Sequence, residues 1–248
     1  MRVAAIYDIH ANLPALEAVV EDIRQAKPDL VVGGGDVLPG PMPNETIQYL
    51  LNLDLPVKFI YGNGEVAVLE EMAGRDPASV PEQRLPIIRW TAKQLLHEQQ
   101  QLLTQWPKTL RLDIRGLGEV LFCHATPNDE NKIFTRVTPQ ESLIPIFDGL
   151  NAAVVVCGHT HMQFDRTVGK TRIVNAGSVG MPFGETGAYW LLLGPAVELR
   201  RTDYDLNKAA ERIRNTDYPQ AEEFAEKNIL HPPSENEMLK AFSRVELK

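Results

Sequence analysis

RVAAIYDIHANLPALEAVVEDIRQAKPDLVVGGGD, residues 2–36, is the stretch whose reading decides the fold. Arg2–Tyr7 is an apolar run of strand length that breaks off at Asp8-Ile9-His10. Asn12 and Pro14 then open a helix to about Gln25, with Leu13, Leu16, Val19, Val20 and Ile23 at helical spacing. Leu30–Val32 is a second buried strand, and Gly33-Gly34-Gly35 carries it into Asp36. Strand, helix and strand in this order predict a parallel α/β layer. Each strand also ends beside a residue with a hard oxygen or an imidazole.

The same pattern extends outward. Pro39-Gly40-Pro41 is a loop, Asn44–Leu53 a helix, and Val57–Tyr61 a third strand that closes on Gly62-Asn63. Residues 65–107 break the rhythm: they read as mostly helical, longer than a crossover needs, and so as an insertion or cap near the strand ends. Thr109–Ile114 and Glu119–Cys123 form an expected hairpin through Gly116-Leu117-Gly118, and His124 follows it. A helix near Pro139–Phe147 leads to the strand Ala153–Cys157, which runs into Gly158-His159-Thr160-His161. Arg166–Val168, Arg172–Val174, Ala188–Leu193 and Val197–Tyr204 read as short antiparallel strands, and residues 207–242 as terminal helices. There is no internal repeat. The strands interleave too closely for a domain cut, so residues 1–248 are expected to form one α/β domain, sheets inside and helices outside.

The bulk properties narrow the function. The chain has 248 residues, 44% of them hydrophobic, enough for a sizeable core. A net charge of −8 makes a poor partner for long nucleic acid, which needs clustered lysine and arginine. No run approaches the roughly 18 apolar residues of a membrane helix. No cleavable leader is expected, because Asp8 and His10 lie where one would be removed. Cys123 and Cys157 sit in apolar runs and are expected as buried free thiols, which fits a reducing cytoplasm. The oligomeric state stays open.

The residues at the strand ends form a constellation. In an extended segment, residues i and i+2 point to one side, so Asp8 with His10, and His159 with His161, are expected to face common partners. Asp36 follows three glycines that permit close backbone approach, and a carboxylate there could bridge two ions. Asn63, between two glycines, offers a neutral amide oxygen, and His124 ends a strand. Taken singly, Gly-Asp and Asn-Gly are turn residues and a lone histidine is structural; their joint placement at strand ends argues for a site. Seven mixed oxygen and nitrogen ligands are too many for one structural zinc, and no Cys-x-x-Cys pair exists. Two divalent ions fit better, of the Mn, Fe, Zn or Co kind. Two metals about 3.5–4 Å apart can deprotonate a water and clamp a phosphate for in-line attack. The triple glycine lacks the spacing and lysine of a nucleotide P-loop. Trp90 and Trp106 are expected to pack between helices. Asn128, Asp129 and Asn131 are expected in a solvated loop.

The order Asp-x-His, Gly-Asp, Gly-Asn, His, Gly-His-x-His resembles that of the calcineurin-like metallophosphoesterase superfamily, over about Arg2 to Gly180. Asn175-Ala176-Gly177-Ser178 is similar to the turn this family carries after its last ligand. The details look most like the family's small bacterial phosphodiesterases. The resemblance implies two facing mixed β-sheets flanked by helices in a four-layer sandwich. It implies that Asp8, His10 and His161 hold one metal, that Asn63, His124 and His159 hold a second, and that Asp36 bridges them. It implies hydrolysis of a small phosphodiester by a metal-bridging hydroxide, with Asn63 helping to hold the phosphate. A phosphomonoesterase or protein phosphatase is the alternative; a non-catalytic scaffold on the same fold is another. One position departs from the family pattern: Gly64 stands where a histidine usually follows the asparagine. A general acid typically contributes about 10²–10⁴ in rate. The departure therefore predicts a preference for good leaving groups, and a gain on poor ones in Gly64→His. His97 is a candidate replacement acid, although a helix-surface role suits it better.

Overall fold

The first sheet grows from the opening stretch. The computed structural model describes residues 1–77 and 80–247; Ala78 and Ser79 of the expected insertion, and Lys248, lie outside the described residues. Strand β1 (Val3–Ile6) is buried throughout. Helix α1 (Leu13–Ala26) follows, capped by Asn12, whose side chain accepts from the Ala15 amide, and closed by Lys27 in the left-handed region. Strand β2 (Leu30–Gly33) returns parallel to β1, and helix α2 (Pro43–Leu51) carries the chain to β3 (Val57–Phe59), parallel to β2.

The stretch expected as an insertion holds helical elements among its described residues. It contains α3 (Asn63–Met72), a 3₁₀ turn at Glu82–Arg84, α4 (Leu85–Gln94) and α5 (His97–Leu103). Strands β4 (Thr109–Ile114) and β5 (Gly118–Cys123) then form the expected hairpin and start a second sheet. After α6 (Gln140–Phe147), β6 (Val154–Cys157) adds in parallel to β5. The next two strands, β7 (Phe164–Val168) and β8 (Thr171–Asn175), form a hairpin, but β8 also pairs in parallel with β6. Strands β9 (Ala188–Leu193) and β10 (Val197–Thr202) leave this sheet and return to the first, β9 antiparallel to β1. The two sheets therefore have the orders β10-β9-β1-β2-β3 and β4-β5-β6-β8-β7. Helices α7 (Leu206–Arg214) and α8 (Ala221–Phe224), a π-helical stretch over Ala225–Leu230, and α9 (Glu235–Phe242) complete the chain.

Strand alternation divides the core into layers. Val3, Ala5 and Tyr7 face the second sheet and pack with Val120, Phe122, Val154 and Val156. Ala4 and Ile6 face the other way, onto Leu16, Val19, Val20 and Ile23 of α1. Leu121 and Val155 face outward from the second sheet onto Leu143 and Phe147 of α6. Helix, sheet, sheet and helix make the four-layer sandwich. Each fully buried large side chain contributes roughly 1.5–3 kcal/mol. Trp106 stacks on Phe59 of β3 with centroids 4.5 Å apart, and Trp90 of α4 meets Tyr218 edge-on at 5.3 Å. No helix among the described residues is long and apolar enough to cross a membrane. Cys123 and Cys157 are buried and free, and burial pushes both thiols up.

Candidate metal centre

The expected ligands meet at the ends of β1, β2, β5 and β6, but not by the expected geometry. Asp8 and His10 do not lie on an extended segment. Their φ angles are 52° and 47°, and those of Asp36, His159 and His161 are 51°, 67° and 58°. Five of the seven candidates thus occupy the left-handed region, where aspartate and histidine are enriched among non-glycine residues. The loop after β1 runs along the loop after β2, with bonds from Asp8 N to Gly35 O, His10 N to Asp36 O and Ala11 N to Val37 O of 3.1, 2.9 and 2.8 Å. Backbone strain of this kind persists where the surrounding structure over-determines it.

The side chains form two groups, Asp8 with His10 and His161, and Asp36 with His124 and His159. Within each, one donor atom per residue lies within 4.8 Å of the others, so each group could hold a metal ion. Asp36 reaches toward both: its Oδ2 is 3.8 Å from His10 Nε2 and its Oδ1 is 3.5 Å from His124 Nε2. Asn63 Oδ1 lies 3.1 Å from His124 Nε2. Asp8 Oδ1 lies 3.4 Å from His161 Nε2, 3.8 Å from His124 Nε2 and 4.0 Å from His10 Nε2. It is buried and has no hydrogen-bond partner among the described residues.

All four imidazoles are oriented by backbone carbonyls. His10 Nδ1 faces Pro39 O at 3.3 Å, His124 Nδ1 faces Gly34 O at 3.1 Å, and His161 Nδ1 faces Met181 O at 2.7 Å. For His159 it is Nε2 that faces a carbonyl, Asn131 O, at 3.2 Å. A carbonyl only accepts, so each of these nitrogens donates the proton and the other nitrogen presents a lone pair. His10 Nε2 and His161 Nε2 are then two lone pairs 3.2 Å apart. Such an arrangement, next to an unpartnered carboxylate oxygen, is suited to a cation. The residues present therefore fit a metal pair.

The electrostatics agree. Burial, then the neighbouring His161, lowers His10 to about 3; burial, then His124, lowers His159 to about 3. Both are neutral imidazoles at neutral pH, the form in which histidine can hold a metal ion. Burial, then the Asp8 charge, raises Asp36 to about 8. Burial also raises Asp8, but His161, His124 and His10 outweigh it and hold that carboxyl well below the usual range. One carboxylate of the pair thus resists ionisation until positive charge arrives.

Glu65, two residues after Asn63, organises the Asp36 side. It is wholly buried. It accepts from Gly62 N at 2.7 Å and from Asp36 N and Leu38 N at 2.9 Å each. Glutamate three residues into a helix that starts at a strand-ending glycine is a capping pattern that could have revealed it. Asn175 donates to Gly158 O, and Ser178 donates to Asp8 O, so the expected turn after the last ligand clamps both ends of the first group.

Gly64 overturns the expectation attached to it. A Cβ there would lie 2.1 Å from Leu38 O, 2.9 Å from Pro39 Cδ and 3.0 Å from Asp36 Oδ1. The backbone has closed over the space a histidine would need, so Gly64→His cannot simply restore an acid. His97 does not replace it: that residue is exposed, and its Nε2 meets Gln101 on its own helix at 3.0 Å. Of the polar loop residues, Asn131 touches the centre through its carbonyl.

Residues 1–193 match the calcineurin-like phosphoesterase superfamily domain. An uncharacterised protein of Methanocaldococcus jannaschii, MJ0912, is 28% identical over 240 residues, covering 88% of this chain and 94% of that one. The crystal structure of a metallophosphoesterase from Sphaerobacter thermophilus superposes with a TM-score of 0.71 at 25% identity, covering 94% of this chain and 99% of that one. That of hypothetical protein PH1004 from Pyrococcus horikoshii superposes with a TM-score of 0.78 at 20% identity, with the same coverage.

Proposed function

The chain belongs to the calcineurin-like phosphoesterase superfamily, and we propose that it hydrolyses small phosphodiesters with two divalent ions held at the strand ends. Asp8, His10 and His161 would hold one ion, and Asn63, His124 and His159 the other, with Asp36 between them. The observation that carries this reading is the set of four imidazoles, each facing a backbone carbonyl with one nitrogen, of which His10, His124 and His161 bring the other nitrogen within 4.0 Å of a buried aspartate oxygen. The donor set suits Mn, Fe, Zn or Co. A bound ion pair supplies Lewis acidity and a water acidic enough to ionise near neutral pH.

The chain's own contribution is orientation and charge. Asp36 splits its two oxygens between the groups. Glu65 fixes the Asp36 amide and the amide that precedes Asn63. Asn63, half-exposed at the start of α3, is placed to hold a phosphate oxygen with its amide. No side chain at position 64 protonates the leaving group, which favours esters of acidic alcohols. Residues 1–248 act in this reading as one domain.

The test is hydrolysis of bis-p-nitrophenyl phosphate and p-nitrophenyl phosphate by chelated protein, before and after adding Mn²⁺. Metal-dependent cleavage, faster on the diester, is expected. Faster cleavage of the monoester would replace the phosphodiesterase reading by a phosphatase. No cleavage and no bound metal would leave a scaffold.

A further inference from the structure

The hydrogen bond from His161 Nδ1 to Met181 O fixes one nitrogen of the ring but not its plane. The outer torsion of a histidine side chain is broad, so an imidazole held at Nδ1 alone rocks about that bond and swings Nε2. At His161 the face of the ring is held as well. Phe183 lies flat against it, with ring centroids 5.2 Å apart and planes inclined by 18°. A near-parallel pair at this separation is offset-stacked, a favoured arrangement of two aromatic rings. Met181 and Phe183 belong to one short segment, so the same loop grips the ligand in its plane and on its face.

That loop is braced by α9, which lies beyond residues 1–193, the span shared with the superfamily. Gly184 N donates to Pro233 O at 2.9 Å, and a Cβ on Gly184 would lie 2.9 Å from Glu235 Cγ. Phe242, the last residue of α9, meets Phe183 with centroids 6.1 Å apart. The same C-terminal stretch is fastened to the loop whose Asn131 carbonyl faces His159. Glu235 pairs with Arg136 at 2.7 Å, and Leu247 N donates to Ile133 O at 3.0 Å. Helix α9 is thus held against both loops, and Phe242 is held on Phe183.

We propose that Phe183, backed by Phe242, is a positioning residue for the metal-holding nitrogen of His161, through which α9 sets the affinity of the Asp8, His10 and His161 group for its ion. This rests on the metal-pair reading given above. A ring that cannot rock keeps Nε2 beside Asp8 Oδ1, at 3.4 Å, and His10 Nε2, at 3.2 Å. A ligand already aimed loses less freedom when the ion arrives, which is how groups behind a ligand strengthen a metal site. His124 and His159 instead brace each other edge-on, with centroids 5.2 Å apart. The effect of Phe183 therefore falls on one ion of the two.

The probe is Mn²⁺, titrated calorimetrically into chelated full-length protein, with electron paramagnetic resonance, a thermal melt and bis-p-nitrophenyl phosphate hydrolysis alongside. Phe183→Ala should weaken one of the two ions by about 2–10-fold, the worth of an aromatic pair, and leave the other unchanged. At sub-saturating Mn²⁺ the spectrum of an isolated ion should then replace that of a coupled pair. Phe242→Ala should shift the same ion by a smaller factor. Phe183→Tyr, which keeps the flat ring, should bind as wild type does, whereas Phe183→Leu, which keeps only bulk, should not. Ile23→Val, in the α1 core, is the control for lost packing and should lower Tm with both ions unaffected. Unchanged affinity for both ions in Phe183→Ala overturns the proposal. Equal weakening of both, the mark of general loosening, also overturns it, as does wild-type affinity in Phe183→Leu. If Phe183→Ala loosens one ion but wild-type protein cleaves no ester, the positioning role stands and the phosphoesterase reading falls. If wild type cleaves the diester and Phe183→Ala binds both ions as tightly, the reverse holds. Wild-type protein that binds no Mn²⁺ removes both.

Discussion

Gly64→Ala sets two effects against each other, and their magnitudes decide the sign. Position 64 lies in the first turn of α3. Helix propensity alone predicts a gain of about 1 kcal/mol for alanine over glycine. The added Cβ, however, would sit 2.1 Å from Leu38 O. Ordinary contact needs about 3.5 Å, so α3 or the Leu38–Pro39 segment must retreat by more than about 1 Å. That movement breaks the 2.7 Å bond from Gly64 N to Asp36 Oδ1 and disturbs the amides held by Glu65. Overpacking of this kind costs typically 1–3 kcal/mol, which exceeds the propensity gain at most of that range. At about 2–4 °C per kcal/mol for a chain of this size, Tm should fall by several degrees. Misplacing a functional group by about 1 Å costs on the order of 10²-fold in rate, so kcat on the diester should fall by a similar factor. The assay is a thermal melt with Mn²⁺ and steady-state hydrolysis of bis-p-nitrophenyl phosphate. A variant with unchanged Tm and kcat would refute the steric reasoning. So would higher turnover in Gly64→His, because it would show that the space is open.

Asp36→Asn should drop bound metal below two ions per chain and lower turnover by more than about 10²-fold, more than the loss typical of a residue that only orients a ligand; metal analysis beside diester kinetics checks it. Glu65→Gln must turn an N–H₂ toward at least one of the amides of Asp36, Gly62 or Leu38, leaving a buried donor unpaired at a cost of about 1–3 kcal/mol. Its Tm should fall and its metal affinity weaken, and a wild-type melt would count against the organising role. In metal-free protein, burial and the Asp36 charge raise Glu65 to about 7, and burial and the Asp8 charge raise Asp36 to about 8, so their contribution is lost as pH rises through 7–8. His10 and His159, lowered to about 3 by burial, contribute stability above the unfolded histidine pKa that is lost as pH falls toward 3. The two sets oppose each other between about pH 4.5 and 6.5, so the Tm of chelated protein should be flat there and decline on both sides. Added Mn²⁺ should raise Tm most above pH 6.5, and an equal rise at pH 5 would contradict the assignment.

The parallel β1, β2 and β3 layer and the grouping of the candidate residues were legible because both rest on residue type. Apolar runs of strand length announce β1, β2, β5 and β6, and each is followed by an aspartate or histidine that an ordinary turn does not require. The return of β9 to β1 was not legible. An apolar strand carries no label for its partner, and Trp190, Leu191, Leu192 and Leu193 only require burial on both faces. The backbone at the ligands was misread for a related reason. Two residues spaced i and i+2 point together on a strand, but Asp8, His10, His159 and His161 converge through left-handed turns imposed by the neighbouring loop. The groups that set the imidazole tautomers, the carbonyls of Gly34, Pro39, Asn131 and Met181, belong to the main chain and have no residue signature at all. This bears on what selection can adjust. Side chains of the centre are replaceable one at a time, whereas the carbonyls move only with their loops. A glycine such as Gly64, which lets Leu38 O approach the start of α3, therefore constrains the centre as firmly as a ligand does.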